Sequence, residues 1–457
     1  MTRSETVQLW VGKMVGGAFS VLVALGLFGA GASAQSAGEG AEVTFSRDVA
    51  PILQNSCQTC HQPTGIGPMP LLTYQDARRY APRIRQKVAN RSMPPWHMDR
   101  SVGIQGFKND ISLSDDEINT IVQWVDDGAL EGDPADLPEA IDWPDGSAWQ
   151  LEAEFGRPPD AIIRSSPFTV VANGLDQWWT PRVPIEGLST PRWVMANETK
   201  PAYPLGKRVV HHGNLAVIRG EDRSGFANYG IGKPFDIYPA NTGRLIQPDD
   251  EFAFNLHYWP IGEVVEDDVV EVGLWFYPEG EEPLLETAGD QTFSSMRNIE
   301  GRPSEIVIPP GSRQITQGIH VLQSPARIHS VRAHQHLIGT GQSIEAVYPD
   351  GHMEILGKVG WEPAWHITYL YEDHLQPLLP KGTVLIVTAW YDNTEANPHN
   401  PDPNSWVVYG RRTGDEMSHM WIGITYLSEE EYGYLSVERE QILKEMEEQQ
   451  EGNIIAP

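Results

Sequence analysis

Both cysteines of this 457-residue chain lie in one pentapeptide, Cys57-Gln58-Thr59-Cys60-His61. The rest of the chain must therefore fold without a disulfide, so hydrophobic cores and bound metals have to hold it together. The spacing C-x-x-C-H matches covalent haem attachment, in which two thiols add to the vinyl groups and the adjacent histidine ligates the iron. A dithiol redox motif would not need His61, and no thioredoxin-like βαβ pattern surrounds it. The motif therefore predicts one haem c held by Cys57, Cys60 and His61.

The sixth ligand of an electron-carrying haem is expected to be a thioether, because Met/His ligation raises the reduction potential. Met69 in GIGPMPLL and Met93 in RSMPPWHMD are the two main alternatives, and Met98 and His97 are weaker ones. Residues 43–130 resemble the single-haem c-type domains that are fused to other exported redox modules. In those domains the methionine of an MPPW motif is the axial ligand, so the resemblance implies Met93.

The first 34 residues have the parts of an export signal. Arg3 and Lys13 precede an apolar run from Met14 to Ala30, and Ala32-Ser33-Ala34 supplies the small residues of a cleavage site. The alternative is a retained membrane anchor, since an apolar run of about 17 residues is near the lower limit for a span. We expect cleavage, and a mature protein that is periplasmic or secreted without stable membrane insertion.

The net charge of −29 argues against a nucleic-acid partner, because phosphate binding needs a basic surface.

The chain is expected to have several domains. Residues 42–130 form a helical unit, with a capping box of Ser114 and Glu117 at the start of one helix and Gly128 at its end. Residues 131–160 form a linker that begins with a Pro- and Asp-rich stretch. Beyond it, short apolar or alternating runs between Pro and Gly predict an all-β sandwich or jelly-roll arrangement. The clearest runs are Arg208–Ile218, Glu251–His257, Val269–Tyr277, Gly382–Tyr391 and Met420–Leu427.

The β region is long enough for two sandwiches, predicted at 161–300 and 301–430, and residues 431–457 form an acidic tail whose helix is expected on the surface. The predicted fold is thus a small α-helical cytochrome c domain followed by two all-β jelly-roll sandwich domains.

Two pairs of close-set histidines fall in these strands: His211-His212 in RVVHHGNLAV, and His334 with His336 in SVRAHQHLIGTG. His334 and His336 should share one face of a strand and can bind one metal, because strand side chains alternate with period two. Neighbouring His211 and His212 can share a metal only through a bulge or twisted edge, or by using different ring nitrogens. Imidazoles with a thioether suit copper, and RRTGDEMSHMWIGITYL offers one.

The order HH … LHY … HxH … DEM closely resembles the copper type II, ascorbate-dependent monooxygenases, which include the peptidylglycine α-hydroxylating and dopamine β-monooxygenases. The resemblance covers roughly residues 165–430. It implies two jelly-roll domains, one copper each, that face across an open cleft. It also implies an electron-transfer copper held by His211, His212 and His257. A second, catalytic copper that binds O2 is implied at His334, His336 and Met417, with Met420 as the alternative sulfur.

The chain departs from the animal-type members because it can make no disulfide outside the CQTCH pentapeptide. Arg332 matches the arginine that grips the substrate carboxylate in the peptide-amidating branch. His419 and Trp421, however, stand where that branch has other substrate-contacting residues. His419 is a possible pocket residue. The remaining histidines are expected to be structural or on the surface: His97, His320, His329, His352, His366, His374 and His399.

The sequence therefore predicts an exported monooxygenase with one haem c and two copper ions, which hydroxylates a C–H bond of a small organic substrate with O2. Electrons would come from an external redox protein or an ascorbate-like reductant through the haem. The alternatives are a non-enzymatic haem and copper electron-transfer or copper-binding protein, and an oxidase that reduces O2 to peroxide.

Overall fold

The computed structural model describes residues 42–63, 65–143, 148–230, 233, 235–296 and 306–455. The predicted export signal lies outside these residues. Within the described part of the chain, no helix has the length and apolar character needed to cross a membrane.

The helical unit at residues 42–130 has three α-helices around one small core. They are α1 (Ala50–Ser56, preceded by a π-helical turn at Phe45–Val49), α2 (Tyr74–Ala89) and α3 (Asp115–Asp126). The predicted capping box is confirmed: the Ser114 hydroxyl accepts from the Glu117 backbone, and the Glu117 carboxylate accepts from the Ser114 N–H. Gly128, just beyond the C-cap of α3, has φ +97°, which favours glycine at that position.

Residues 96–109, between α2 and α3, leave this core and pack against the second of two β-sandwiches, which is built from strands in residues 289–426. We call these residues the docking segment. Trp96 and Phe107 lie in the same hydrophobic core as Tyr369. The Trp96 ring is 4.7 Å from the Tyr369 ring and 5.7 Å from the Phe107 ring, both edge to face. Met98 forms a β-bridge with Val359 at one end of the segment. The helical unit is therefore attached to the second sandwich by a segment that lies between two of its own helices.

Thirteen strands build the first group of sheets. They are β1 (Ala161–Arg164), β2 (Phe168–Val170), β3 (Gln177–Trp179), β4 (Arg182–Pro184), β5 (Arg192–Pro201), β6 (Val210–Arg219), β7 (Asp222–Gly230), β8 (Phe235–Ile237), β9 (Thr242–Ile246), β10 (Glu251–Tyr258), β11 (Val265–Asp268), β12 (Val270–Phe276) and β13 (Leu285–Glu286). One sheet has the order β1-β12-β5-β9-β13 with β8 on β5, another β3-β10-β6-β7 with β4 on β10, and β11 pairs with β2. Apolar side chains of the two large sheets share one core, which makes them the first sandwich.

Eleven further strands build the second group. They are β14 (Gly289–Phe293), β15 (Val307–Ile308), β16 (Arg313–Val321), β17 (Ala326–His334), β18 (Gly339–Val347), β19 (Met353–Gly360), β20 (Tyr369–Leu370), β21 (Leu378–Leu379), β22 (Val384–Asp392), β23 (Val407–Val408) and β24 (His419–Tyr426). Their sheets run β14-β24-β17-β20 with β21 on β17, and β16-β22-β18-β19, while β15 pairs with β23. The two large sheets again share one core and form the second sandwich.

Three helices complete the described chain: α4 (Gln150–Phe155), α5 (Gly206–Val209) and α6 (Glu429–Ile455). Two 3₁₀ turns lie at Pro134–Asp136 and Asp373–Leu375. Helix α4 lies within the predicted linker (residues 131–160), and Trp149 beside it packs edge to face on Trp275 of β12. That contact covers the outer face of β12 and explains why every residue of this central strand is buried.

The five strand predictions are confirmed as β6, β10, β12, β22 and β24, with ends that shift by one or two residues. The predicted helical tail is also confirmed as α6. The strands change sandwich between Glu286 and Gly289, whereas the sequence prediction placed the domain boundary at residue 300. The physical reason is that β14 pairs with β24 along its whole length, so Gly289–Phe293 belongs to the second sandwich.

Replacing Phe107 tests whether the docking segment belongs to the second core. Phe107 is 7% exposed, and its ring lies 5.3 Å from that of Tyr371. Phe107→Ala should lower the free energy of unfolding by about 3–5 kcal/mol, the usual cost of deleting a buried aromatic ring. Denaturant titration measures the change. Trp406→Ala, at a site 62% exposed, is the control and should change little. Equal stabilities of the two variants would contradict the docking.

Candidate metal centre

Three histidines of the first sandwich converge: His211 and His212 from β6, and His257 from β10. One ring nitrogen of each lies within 4.8 Å of those of the other two. His257 Nδ1 is 3.4 Å from both His211 Nδ1 and His212 Nε2. Metal–imidazole bonds of about 2.0–2.1 Å place neighbouring ligand nitrogens roughly 3–3.5 Å apart. The three rings therefore fit around one ion.

A β-bulge lets the adjacent His211 and His212 turn toward the same point. His212 pairs with His257, but the next pair along β6 and β10 is Val210 with Tyr258. His211 is thus the extra residue of the bulge, which removes the strict alternation of a regular strand. The two side chains also offer different nitrogens, Nδ1 and Nε2. The bulge and the use of different ring nitrogens, which the sequence named as ways for His211 and His212 to share a metal, are both present.

The Asp176 carboxylate orients the His257 ring by binding the ring nitrogen that faces away from the other two histidines. His257 Nε2 donates to Asp176 Oδ2 at 3.1 Å, which leaves Nδ1 free to face the other two rings. Metal-ligating histidines usually bond a carboxylate or carbonyl with the second ring nitrogen in this way. Thr413 of the second sandwich donates its hydroxyl to the same Asp176 oxygen at 2.7 Å. The Trp178 ring stacks on the His257 ring at 4.3 Å and fixes its plane.

The second pair, His334 and His336, lies at the end of β17 with ring centroids 5.3 Å apart, as expected for side chains on one face. His336 Nδ1 donates to the Asp415 carbonyl at 3.1 Å, which leaves Nε2 available to a metal. His334 Nδ1 is buried and has no hydrogen-bond partner among the described residues. A buried polar atom without a partner is costly, and a metal ion would satisfy it.

Glu416 ties the His-x-His segment to the loop that carries Met417. Its carboxylate accepts from the backbone N–H groups of His336 (2.6 Å), Met417 (2.8 Å) and Ile338 (3.2 Å). Burial raises the pKa of Glu416 to about 8, and the backbone donors oppose that shift. This contact holds the third predicted ligand of the second group beside the two histidines.

The register of β17 and β24 shows on which face of the sheet Met420 lies, one of the two sulfurs (Met417 and Met420) considered from the sequence. His334 pairs with His419, and Ala333 pairs with Met420. Directly opposite residues share a face and successive residues alternate, so Met420 points to the face opposite His334. Met420 is fully buried in the hydrophobic core. Met417 is half-buried in the loop before β24, and its backbone N–H donates to the same Glu416 oxygen as the backbone N–H of His336.

The two histidine groups touch, although the family resemblance implied that they face across an open cleft. The rings of His212 and His334 are 5.6 Å apart. His366 lies between the groups, with ring distances of 5.5 Å to His211, 5.4 Å to His212 and 5.1 Å to His334. His366, which was expected to be structural or on the surface, is 2% exposed and lies at the centre of the cluster.

Burial lowers the pKa of every ring in this cluster and keeps the imidazoles neutral, which is the form that binds metals. The shift takes His211 to about 4. It has the same direction for the other five: His212, His257, His334, His336 and His366.

Arg332 lies on the same strand face as His334 and is buried, with 2% exposure. Its guanidinium packs 4.3 Å above the Trp421 ring, and its Nε has no hydrogen-bond partner among the described residues. Burial lowers the pKa of Arg332 to about 10, although Asp290 and Asp236 favour the charged form. The predicted substrate arginine is therefore an interior residue beside the cluster, with hydrogen-bonding capacity left over.

The CQTCH pentapeptide follows helix α1, with Cys57 as its C-cap and both thiols free. His61 Nδ1 donates to the Met69 carbonyl at 3.0 Å, which leaves Nε2 for the iron of a haem. Met69 packs against the core of the helical unit, and Met98 is buried in the core of the second sandwich. Met93 as the sixth ligand of a haem stays a prediction.

Sequence reasoning missed Asp176, Glu416 as a positioning residue, and His366. An Asp-Gln-Trp-Trp run and a single histidine in WEPAWHITYL match no motif, and neither lies near its partners in the chain. Only the fold brings them together.

No protein-family model and no curated protein matches the chain. Solved structures give distant likenesses. Recombinant N-glycanase F has 11% identity and a TM-score of 0.24 over 58% of this chain and 96% of that chain. PNGF-II has 9% identity and a TM-score of 0.23 over 57% and 65%. The PBSX exported protein XepA has 7% identity and a TM-score of 0.16 over 50% and 86%. Likenesses at such TM-scores carry no argument.

Removing the Glu416 carboxylate should break the second group selectively. Glu416→Ala leaves three buried N–H groups without an acceptor, so the free energy of unfolding should fall by about 3 kcal/mol or more. The copper predicted at His334, His336 and Met417 should then be lost, as measured by metal analysis of the folded protein. Glu395→Ala, in an exposed loop, is the matched control. Full copper content in Glu416→Ala would show that this carboxylate does not position the ligands.

The metal-free protein should lose stability in mild acid. Unfolded histidines take up protons below about pH 6.5, whereas the buried rings resist protonation until well below it, His211 until about pH 4. Stability is therefore highest above pH 6.5 and falls as the pH drops toward 4, by at most about 1.4 kcal/mol per pH unit for each such ring. Denaturant titrations at pH 7.5 and 5 measure the loss.

His366→Gln should make this loss smaller, because it removes one ring that resists protonation. His352→Gln, at an exposed position, is the control for the substitution. An equal acid sensitivity in wild type and His366→Gln would contradict the prediction.

Proposed function

We propose that this chain is an exported copper-dependent monooxygenase with a built-in cytochrome c unit. It would insert one oxygen atom of O2 into a C–H bond of a small organic substrate. In this proposal the two sandwiches are jelly-roll domains with one copper site each. The helical unit carries a single haem c on Cys57, Cys60 and His61, with Met93 as the sixth ligand.

The single observation that carries the proposal is the arrangement of His211, His212 and His257. Three nitrogens from the neighbouring strands β6 and β10 meet at metal-ligand spacing, and the Asp176 carboxylate orients the His257 ring. The bulge in β6 lies at His211, whose side chain would point away from that of His212 on a regular strand. Neutral imidazoles without a thiolate or further carboxylate in the group suit copper.

The second group supports the enzyme rather than a mere copper store. His334, His336 and Met417 would hold the copper with a thioether, a softer set that suits a site cycling between two oxidation states. Bound in these groups, copper and haem would supply the one-electron chemistry that activates O2 for hydroxylation.

The chain's own residues have four tasks in this proposal. Asp176 and the Asp415 carbonyl each hold the proton of one ligand ring, so that the other nitrogen points inward. Glu416 orients the backbone around Met417. The buried rings of His334 and His366 keep water away from the centre. Arg332 would neutralise an acidic group of a substrate that reached the cluster, because its Nε still has hydrogen-bonding capacity.

Metal content and one methionine variant test the proposal. Protein matured with haem and copper should contain one haem and two coppers per chain. In Met417→Ala, O2-dependent hydroxylation should be lost, while the haem stays reducible and the copper at His211, His212 and His257 is retained. Met353→Ala, at a position 58% exposed on β19, is the matched control and should behave as wild type.

The alternatives give different results in the same assay. The ascorbate-reduced protein is mixed with O2 and a panel of small organic compounds, and haem reoxidation, product and peroxide are followed together. Hydroxylated product coupled to reoxidation supports the monooxygenase. Peroxide without product indicates an oxidase, and slow reoxidation with neither indicates an electron-transfer protein. A chain without copper would refute the proposal.

A further inference from the structure

The docking segment connects the helical unit to the second sandwich at one particular place. Its Asp99 N–H donates to the Lys358 carbonyl at 2.8 Å, and the two side chains form an ion pair at 3.0 Å. The His97 carbonyl accepts from the Gly360 N–H at 2.8 Å. These bonds run along β19 to its last residue. The segment begins three residues after Met93, the proposed haem ligand.

The next residue in the chain, Trp361, reaches the metal centre. Its indole Nε1–H donates to the His336 carbonyl at 2.8 Å. Its ring lies edge to face at 5.7 Å from the His334 ring and 5.3 Å from the His366 ring. A continuous chain of covalent and hydrogen bonds therefore runs from Met93 through His97 and Gly360 to these histidines.

We propose that Trp361 couples the haem electronically to the copper group of His334, His336 and Met417, so that electrons enter the centre at this group. The inference rests on the proposed function and adds to it the point of entry. It differs from the family resemblance, which implied an electron-transfer copper at His211, His212 and His257. Trp361 is a positioning and coupling residue, since it contacts the ligand histidines and not a reacting atom.

The transfer that Trp361 would assist is balanced without bond changes. Ferrous haem held by Cys57, Cys60 and His61 would give up one electron and become ferric, and Cu(II) held by His334, His336 and Met417 would accept it and become Cu(I). A one-electron donor outside the chain restores ferrous haem. No proton has to move in this step. Trp361 itself keeps its N–H, because that proton is held in the bond to the His336 carbonyl.

The contacts of the docking segment favour this group over His211, His212 and His257. The segment is hydrogen-bonded to β19 and to the region of β20, where the Lys108 N–H donates to the Leu370 carbonyl at 2.8 Å. Both strands belong to the second sandwich. Among the residues that the structure describes, the ring contacts between the first-sandwich histidines and this route are those of His211 and His212 with His366 and of His212 with His334.

Anaerobic electron transfer tests the inference without turnover. Protein loaded with ferric haem and Cu(II) is reduced at the haem by a flash of photoreduced flavin mononucleotide, and the decay of the ferrous haem band is followed as Cu(II) takes the electron. Trp361→Leu should slow this decay by roughly an order of magnitude, because it removes both the ring and its N–H bond. Trp361→Phe keeps a ring and should slow it less.

Trp365→Leu is the matched control: Trp365 is four residues away and packs against the same core, and its replacement should leave the decay within about twofold of wild type. Metal analysis and the Cu(II) resonance spectrum of each variant show whether the ligand groups are intact. Wild-type decay in Trp361→Leu with both coppers present would overturn the inference while leaving the proposed function standing. Absence of copper in wild type would overturn the proposed function itself.

Discussion

The buried ion pair between Lys233 and Asp290 holds the two sandwiches in the alignment on which the metal centre depends. Lys233 Nζ lies 2.8 Å from Asp290 of β14 and 2.8 Å from Asp236, and Lys233 is only 2% exposed. Asn228 of β7 donates to the same Asp290 carboxylate. Burial disfavours the charged carboxylate, but Lys233 and Arg332 overcome this and hold the pKa of Asp290 low. Because an unpaired buried charge is costly, β7 and β14 cannot slide apart, and the histidines behind them stay in ring contact.

Local patterns predicted the elements well, because each depends on neighbours in the chain. The Ser114–Glu117 capping box needs only four residues, and β10 is visible as one apolar run. Strand alternation alone implied that His211 and His212 could share a metal only through a bulge or twisted edge, or by using different ring nitrogens, and a bulge is present. The shared face of His334 and His336 followed from the same rule. Such features are predictable because the backbone geometry of a strand or helix is the same in every protein.

Features that depend on tertiary placement were not predictable in this way. Asp176 and Thr413 are far apart in the chain, and only the contact between sandwiches brings the hydroxyl to the carboxylate. His366 has no nearby ligand in the sequence, and its central position arises because its loop packs Cβ against Gly230 of β7, where an added Cβ would lie 3.1 Å away. The change of sandwich before Gly289 was missed because β14 finds its partner only at β24. The resemblance implied an open cleft between the two histidine groups, but in this fold the rings of His212, His334 and His366 are in contact there.

The docking segment restricts the motion of the helical unit more than the linker after residue 130 would by itself. A tether of Pro and Asp would let the helical unit move, but the unit is also held from within, because Trp96 and Phe107 are buried in the second core. Exposing two such rings would cost roughly 1.5–3 kcal/mol each, so undocking is rare at equilibrium. The polar contacts beside them, such as the Lys108–Asp373 pair, lie at an exposed rim and add little. In the proposed function, an external electron donor would therefore have to approach the helical unit on a side away from β19, because the docking segment occupies the side toward β19.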